Sequence, residues 1–260
     1  RGVRALLPAN ILIRVSVLAK QVFDLKSYEI SAWILMLLSY GATAWILFRK
    51  IALNWAKDKT NAPYWMAALA ALVLLLVGPI FIFTFPERMY LGYISPNPYH
   101  NPTYILFRPF VLLIFFNAVD NLRAKWDWKQ SLLMAFWILC ATLAKPNFTL
   151  TFVPAIGLMV LYFLIKKIKP INWFYVIGPV GLTSVVMLVS QFIINYAGER
   201  GDQLIFAPFT VVLKYVPTIP LAILFGVLSI LFPLLVSIVF WKKASQRLSF
   251  QLVSLNFLVS

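Results

Sequence analysis

The sequence predicts an all-α fold, a polytopic transmembrane helix bundle of about 7–8 spans with an N-terminal interfacial amphipathic helix. Three observations predict it. Of the 260 residues, 62% are hydrophobic and only 12% charged, whereas soluble domains are about 45–50% apolar and about 25% charged. The apolar residues fall into runs of about 20, long enough to cross a bilayer as helices. The runs are continuous and do not alternate with polar residues, so they do not read as barrel strands. Lipid offers the backbone no partners, which leaves the helix as the spanning structure.

Residues 1–29 are expected to form a unit of their own, and residues 30–260 the transmembrane domain. In the first, Ile11, Leu12, Val15, Leu18, Val22 and Phe23 interleave with Arg14, Lys20 and Lys26. That pattern suits a helix lying in the interface. The alternative is a truncated transmembrane helix, against which Arg14 near its centre counts. Seven spans follow, at about 30–47, 64–85, 103–119, 131–144, 148–165, 173–196 and 217–241, and an incomplete one begins near Leu248. The first residue is Arg1 and the last apolar run stops at Ser260, so the chain is expected to be a fragment of a longer protein. The fourth span is short and ends at Lys145-Pro146-Asn147, where proline breaks a helix. It is read as a crossing separate from the fifth because of the charges.

Arg49, Lys50, Lys57 and Lys59 follow the first span, but only Arg88 follows the second. Arg123, Lys125 and Lys129 follow the third, and only Lys145 the fourth. Lys166, Lys167 and Lys169 follow the fifth, Arg200 and Lys214 the long sixth connection, and Lys242, Lys243 and Arg247 the seventh. Rich and poor connections alternate, and the positive-inside rule puts the rich ones in the cytoplasm. The poor ones then face outward in a multi-pass plasma (inner) membrane protein of the cell envelope. The formal charge of +15 is accordingly assigned to orientation and to contact with membrane lipid, and nucleic acid is excluded as a partner. The single Cys140 lies within an apolar run, which leaves no disulfide framework and no thiol metal site.

The richest outward connection is 86–103, with Glu87, Arg88, Tyr90, Tyr93, Asn97, Tyr99 and the only histidine, His100, followed by Asn101. Histidine exchanges protons near neutral pH and, when charged, bonds phosphate. The prolines at 96, 98 and 102 hold the segment extended. A plain interfacial loop accounts for the tyrosines equally well. Arg108 lies five residues into the third span, where charge is costly and usually faces protein or a water-filled cavity. Tyr104 and Arg108 share a helix face, and arginine holds phosphate bidentately; snorkelling to the interface is the alternative. Lys145, beside Thr142, Asn147 and Thr149, reads either as an interface anchor or as a contact for an anionic head group. Among the outward carboxylates, Asp24 and Glu87 are candidate bases by location. Asp58, Asp120 and Asp127 sit among lysines and read as solvated faces, and Trp126, Trp128 and Trp173 as interface anchors. No Gly-rich phosphate loop, metal-ligand cluster or nucleophile motif is visible.

The segment Asn97-Pro98-Tyr99-His100-Asn101-Pro102-Thr103 and the later turn Lys145-Pro146-Asn147 resemble motifs of the GT-C superfamily of integral-membrane glycosyltransferases. Several branches of it carry an Asn-Pro-aromatic segment with a further proline at the outer start of a helix. Some carry a Lys-Pro-polar turn between two later helices. The resemblance covers about 86–148, with Asn101-Pro102 where a Tyr-Pro-Pro is commoner. It implies transfer of a sugar from a polyprenyl-phosphate donor to an acceptor on the extracytoplasmic face. Arg108, Lys145 and His100 would bind the donor phosphate, and Asn97, Tyr99, Asn101, Tyr104 and Asn147 would position the substrates. The family's acidic base lies in its first large outer loop, which here would fall largely upstream of Arg1. The base therefore stays unassigned, with Asp24, Glu87 and His100 as weak candidates. A divalent metal cofactor is compatible with the reaction but has no ligand set in the sequence. The rival expectations are a lipid-linked oligosaccharide flippase or other transporter, and a non-catalytic membrane subunit.

Overall fold

The computed structural model describes residues 28–58, 62–76, 102–196, 213, 216 and 218–259. Among these residues every regular element is helical. Helix α1 is Tyr28–Lys57, α2 Tyr64–Leu76, α3 Pro102–Asn121, α4 Trp128–Ala144 and α5 Asn147–Ile165. Helix α6 begins at Trp173–Tyr175, widens into a π-helical stretch at Val176–Leu182 and continues as Thr183–Tyr196. Then come α7 (Ile219–Ser229), α8 (Leu231–Val239), α9 (Trp241–Ala244) and α10 (Leu248–Val259). Residues 1–27 of the expected interfacial helix and 77–85 of the span at 64–85 lie outside the described residues, while Tyr28 and Glu29 open α1.

Four of these helices are long and apolar enough to cross a membrane: Trp33–Lys57, Tyr104–Asn121, Asn147–Ile165 and Trp173–Ile193. A fifth span results if α7 and α8 count as one. The chain is a multi-pass, all-α membrane protein; among the described residues length and composition mark four or five spans, which leaves the expected count of 7–8 unconfirmed. Helix α4 has 17 residues, about 25 Å at 1.5 Å per residue, short of the hydrocarbon thickness of about 30 Å. α10, with 12 residues, is shorter still.

Two expected boundaries move. α1 runs ten residues past the expected end at 47, so Arg49, Lys50 and Lys57 lie on the helix and not in a loop. Lysine and arginine are good helix formers, and cations complement the C-terminal end of the helix dipole. The seventh span, expected as one helix over 217–241, bends by 58° between Ser229 and Leu231. Pro233 lies three residues beyond the bend and has no N–H for the carbonyl of Ser229, the usual cause of a sharp kink.

Helices α4 and α5 form a hairpin, as the charge alternation requires. Thr142 and Thr149, on either side of the turn, share a buried hydrogen bond of 2.8 Å between their hydroxyls. At the other ends of the two helices, Phe163 of α5 joins Met134 of α4 in the core. This core is assembled from Ile114, Ala118 and Leu122 of α3, Ile138 and Ala141 of α4, Phe152, Ile156 and Met159 of α5, Tyr175 and Val180 of α6, and Leu252 of α10. In α6, a Cβ at Gly181 would lie 3.1 Å from the carbonyl oxygen of Val176, a tight contact that glycine avoids.

The ends of the helices that carry the basic connections meet at one end of the bundle, hereafter the basic end. Lys50 of α1 pairs with Asp120 of α3 at 2.8 Å. The Asn117 side-chain amide donates to Gln130 of α4 at 3.0 Å and accepts from the Tyr175 hydroxyl of α6. The Asn172 backbone N–H donates to Leu122 O at 3.0 Å, and its side chain caps the start of α6 by accepting from Tyr175 N at 3.1 Å. Arg123 donates to the carbonyl of Lys169 at 3.4 Å. Asp120 and Asp127, expected as solvated faces, thus have jobs: one ties α1 to α3, and the other caps α4 by accepting from Lys129 N at 2.9 Å. Trp126, Trp128 and Trp173 are largely exposed here, as interface anchors are.

Helix α5 ends in a Schellman closure. Ile168 N–H donates to Phe163 O at 2.8 Å and Lys167 N–H to Leu164 O at 3.1 Å. The residue between the last turn and the exit is Lys167, with φ of 55°. Glycine normally holds this left-handed position, and a side chain there costs about 1–2 kcal/mol.

Tyr175→Phe removes a donor to Asn117 and leaves its partly buried side-chain oxygen short of a partner. A loss of about 1–2 kcal/mol is expected, measured by equilibrium unfolding in mixed micelles.

Candidate functional site

The opposite end of the bundle is where α3 begins and α4 ends, and it holds the charged residues singled out within the spans. Proline at position 102 opens α3, where its missing N–H costs nothing and its fixed φ suits the first turn. Tyr104 follows within that turn. α4 stops at Ala144, and Lys145 turns to an extended conformation at φ −163° and ψ 117° while its N–H still donates to Ala141 O at 2.7 Å. Pro146 then starts α5 with φ −71°. Pro146 and the Thr142–Thr149 bond therefore set where the Lys145 side chain emerges.

It emerges over Tyr104. The Lys145 ammonium lies 3.2 Å from the centre of the Tyr104 ring, well within the range of about 6 Å for a cation–π contact. Phe107 packs beside the same ring at 5.6 Å between centroids. Both Lys145 and Tyr104 are half-buried. The ring covers one side of the ammonium, and the three N–H donors of lysine are not satisfied by a ring face alone. The group is thus positioned to hold an anion at the mouth of α3 and α4.

Arg108 is half-buried one turn further along α3. Among the described residues no carboxylate pairs with it, since the ion pair present there is Lys50–Asp120. Asn147 is exposed at the start of α5, and its carbonyl accepts from the Thr151 hydroxyl at 3.5 Å. Asp24, Glu87, Asn97, Tyr99, His100 and Asn101 all lie outside the described residues.

An apolar groove of about 500 Å³ opens between α1, α3 and α4. Its walls include Leu38 and Ile46 of α1, Leu106 and Phe110 of α3, and Trp137 of α4, and it ends at Leu143 and Ala144, adjoining Lys145. No charged side chain lines it. At 3.6 residues per turn, Arg108 falls on nearly the opposite side of α3 from Leu106 and Phe110. Tyr104 shares a face with Arg108, so the Lys145 ammonium over its ring and Arg108 are on the same side of α3, and the groove reaches Lys145 only through its chain neighbour Ala144. Among the described residues no three His, Cys, Asp or Glu side chains gather as a metal site would require.

The side chains that sequence reasoning passed over are Asn117, Gln130, Asn172 and Tyr175, the polar cluster at the basic end. One signal was present. Asn117, Asp120 and Asn121 are spaced i, i+3, i+4, which puts three polar residues on one face of an otherwise apolar span.

Comparison with known protein families, characterised proteins and solved structures finds no match to this chain.

Tyr104→Leu and Lys145→Met, made singly and together, should show a coupling of about 1–2 kcal/mol in a double-mutant cycle, the range for a partly desolvated cation–π pair. Unfolding midpoints in mixed micelles give the value.

Proposed function

We propose that the chain belongs to a membrane glycosyltransferase that moves a sugar from a polyprenyl-phosphate-linked donor to an acceptor on the extracytoplasmic face of a plasma (inner) membrane. The observation that carries this reading is the Lys145 ammonium held over Tyr104 at the helix end where an apolar groove stops at the preceding residue, Ala144. A lipid-linked phosphate combines the two chemistries that such a place accepts, an anionic head and a long apolar tail. Departure of the sugar leaves charge on the phosphate, and fixed cations stabilise developing charge best where water is excluded. Lys145 has that role, with Arg108, on the Tyr104 face of α3, as the second cation and His100 as the third. Tyr104 aligns Lys145. Asn97, Tyr99, Asn101 and Asn147 position donor or acceptor. The general base that activates the acceptor hydroxyl is sought among Asp24, Glu87 and His100.

The motif resemblance at 97–103 and 145–147 supports the same reaction class. The outward orientation rests on the basic residues clustered at the opposite end, since positive loops are retained in the cytoplasm. One observation favours a lipid-linked oligosaccharide transporter instead, namely the 58° break between α7 and α8, because broken helices are common at transport sites. Transport sites lie near the midplane, however, and the cations here lie toward a helix end.

The test is transfer of radiolabelled sugar from a polyprenyl-phosphate donor in proteoliposomes. Arg108→Ala and Lys145→Ala should each lower transfer at least tenfold, as loss of a charge-stabilising donor does, and the double variant should abolish it with membrane insertion intact. Wild-type transfer by the double variant removes these roles. Movement of the donor across the bilayer with no acceptor reaction selects the transporter.

A further inference from the structure

We propose that the turn between α5 and α6, at the basic end, is a binding site for the phosphate of an anionic phospholipid. The turn walls a pocket of about 660 Å³ lined by Phe163, Leu164, Lys167, Lys169, Pro170 and Trp173. This site is separate from the one around Lys145 and does not rest on the transferase reading.

Four observations converge. The first is Lys167 itself. It occupies the left-handed position of the α5 closure, where glycine would relieve the backbone, and it lines the pocket. Strain of this kind persists where the side chain is needed. The second is charge. Lys166, Lys167 and Lys169 are exposed and, among the described residues, have no carboxylate partner, because Asp120 is taken by Lys50 and Asp127 caps α4. The third is order. Arg123 donates to Lys169 O and lies over the Phe163 ring at 5.7 Å, and Asn172 N–H is bonded to Leu122 O. The lysines therefore project from a fixed turn and present a concave, preorganised surface. The fourth is the rim. Leu164, Ile165 and Trp173 are 49%, 69% and 44% exposed at the point where one candidate span ends and the next begins. An apolar rim under a cluster of lysines matches acyl chains below a phosphate, the arrangement in which basic pockets between transmembrane helices bind anionic lipid. A soluble anion would leave that rim uncovered.

Native mass spectrometry of the purified full chain, released from nonionic micelles that contain phosphatidylglycerol and phosphatidylcholine, counts the lipids retained. Wild type should keep phosphatidylglycerol over phosphatidylcholine. Lys167→Gln and Lys169→Gln should each lower that retention about fivefold, while Lys242→Gln with Lys243→Gln, which removes twice the charge of either elsewhere, should leave it unchanged. Lys167→Gly should lose the lipid to the same degree yet unfold at the same temperature as wild type or higher, which separates a binding role from a structural one. Equal loss in the Lys242/Lys243 variant, no preference for phosphatidylglycerol, or complete displacement by millimolar inorganic phosphate would each overturn the proposal. Wild-type retention by the Lys167→Gln, Lys169→Gln double variant would overturn it as well.

Discussion

The rest of the bundle depends on Asn117. Inside a bilayer an apolar helix face gains little by leaving lipid for protein, so close packing and interhelical hydrogen bonds must choose the register. Asn117 does this for three helices at once: it donates to Gln130 of α4 and accepts from Tyr175 of α6, while its own helix α3 is tied to α1 by Asp120 and Lys50. A slip of one residue along any helix moves it by about 1.5 Å, enough to break these bonds and leave polar groups unpaired where water is scarce. The penalty for an orphaned group exceeds the net gain from making the bond. The network is therefore worth more in specificity than in stability.

The two ends of the bundle divide the work. At the basic end, polar pairs fix α1, α3, α4 and α6 against one another. At the other end, among the described residues, the Thr142–Thr149 bond and Pro146 set the turn from which Lys145 reaches the Tyr104 ring. Because α4 is one continuous helix from Trp128 to Ala144, the register chosen at the basic end bears on where the Lys145 turn lies. The apolar groove has the same origin. Its walls on α1 and α3 run side by side because both helices arrive at the basic end together, joined by Lys50 and Asp120.

The class of fold was legible because hydropathy and charge are separate signals that agreed. Runs such as 148–165 announced helices, and the alternation of basic connections divided α4 from α5 before any contact between them was known. The ends of helices were less legible. Arg49, Lys50 and Lys57 looked like loop residues because charge marks the membrane boundary, yet a helix does not stop at that boundary when its lysine finds a carboxylate 70 positions away. In the candidate site, the pairing of Lys145 with the Tyr104 face was not legible at all. It depends on the turn geometry at Pro146 and on how α3 and α4 pack. The placement of Arg108 away from the groove required the groove walls to be known, since a helical wheel gives relative faces but not which face meets a neighbour. The polar cluster was half legible: Asn117, Asp120 and Asn121 announced a polar face, while their partners on other helices did not.

Proline also shows how packing overrides local preference. Pro109, Pro154, Pro179 and Pro233 each stand inside a helix and each removes one backbone hydrogen bond. The outcomes differ. Pro109 is itself buried, and Pro154 precedes Ala155 and Ile156 of the core; both helices stay continuous. Pro179, also buried, lies in the π-helical stretch of α6, where the looser i→i+5 bonding absorbs the lost donor without ending the helix. Pro233 lies in α8, which buries none of its residues, and there the chain bends by 58°. A proline costs the same bond in each case. What differs is whether neighbours press on the helix from the side toward which it would bend. The break between α7 and α8 is thus a consequence of weak lateral packing among the described residues as much as of sequence, which lessens its weight as a mark of a transport path.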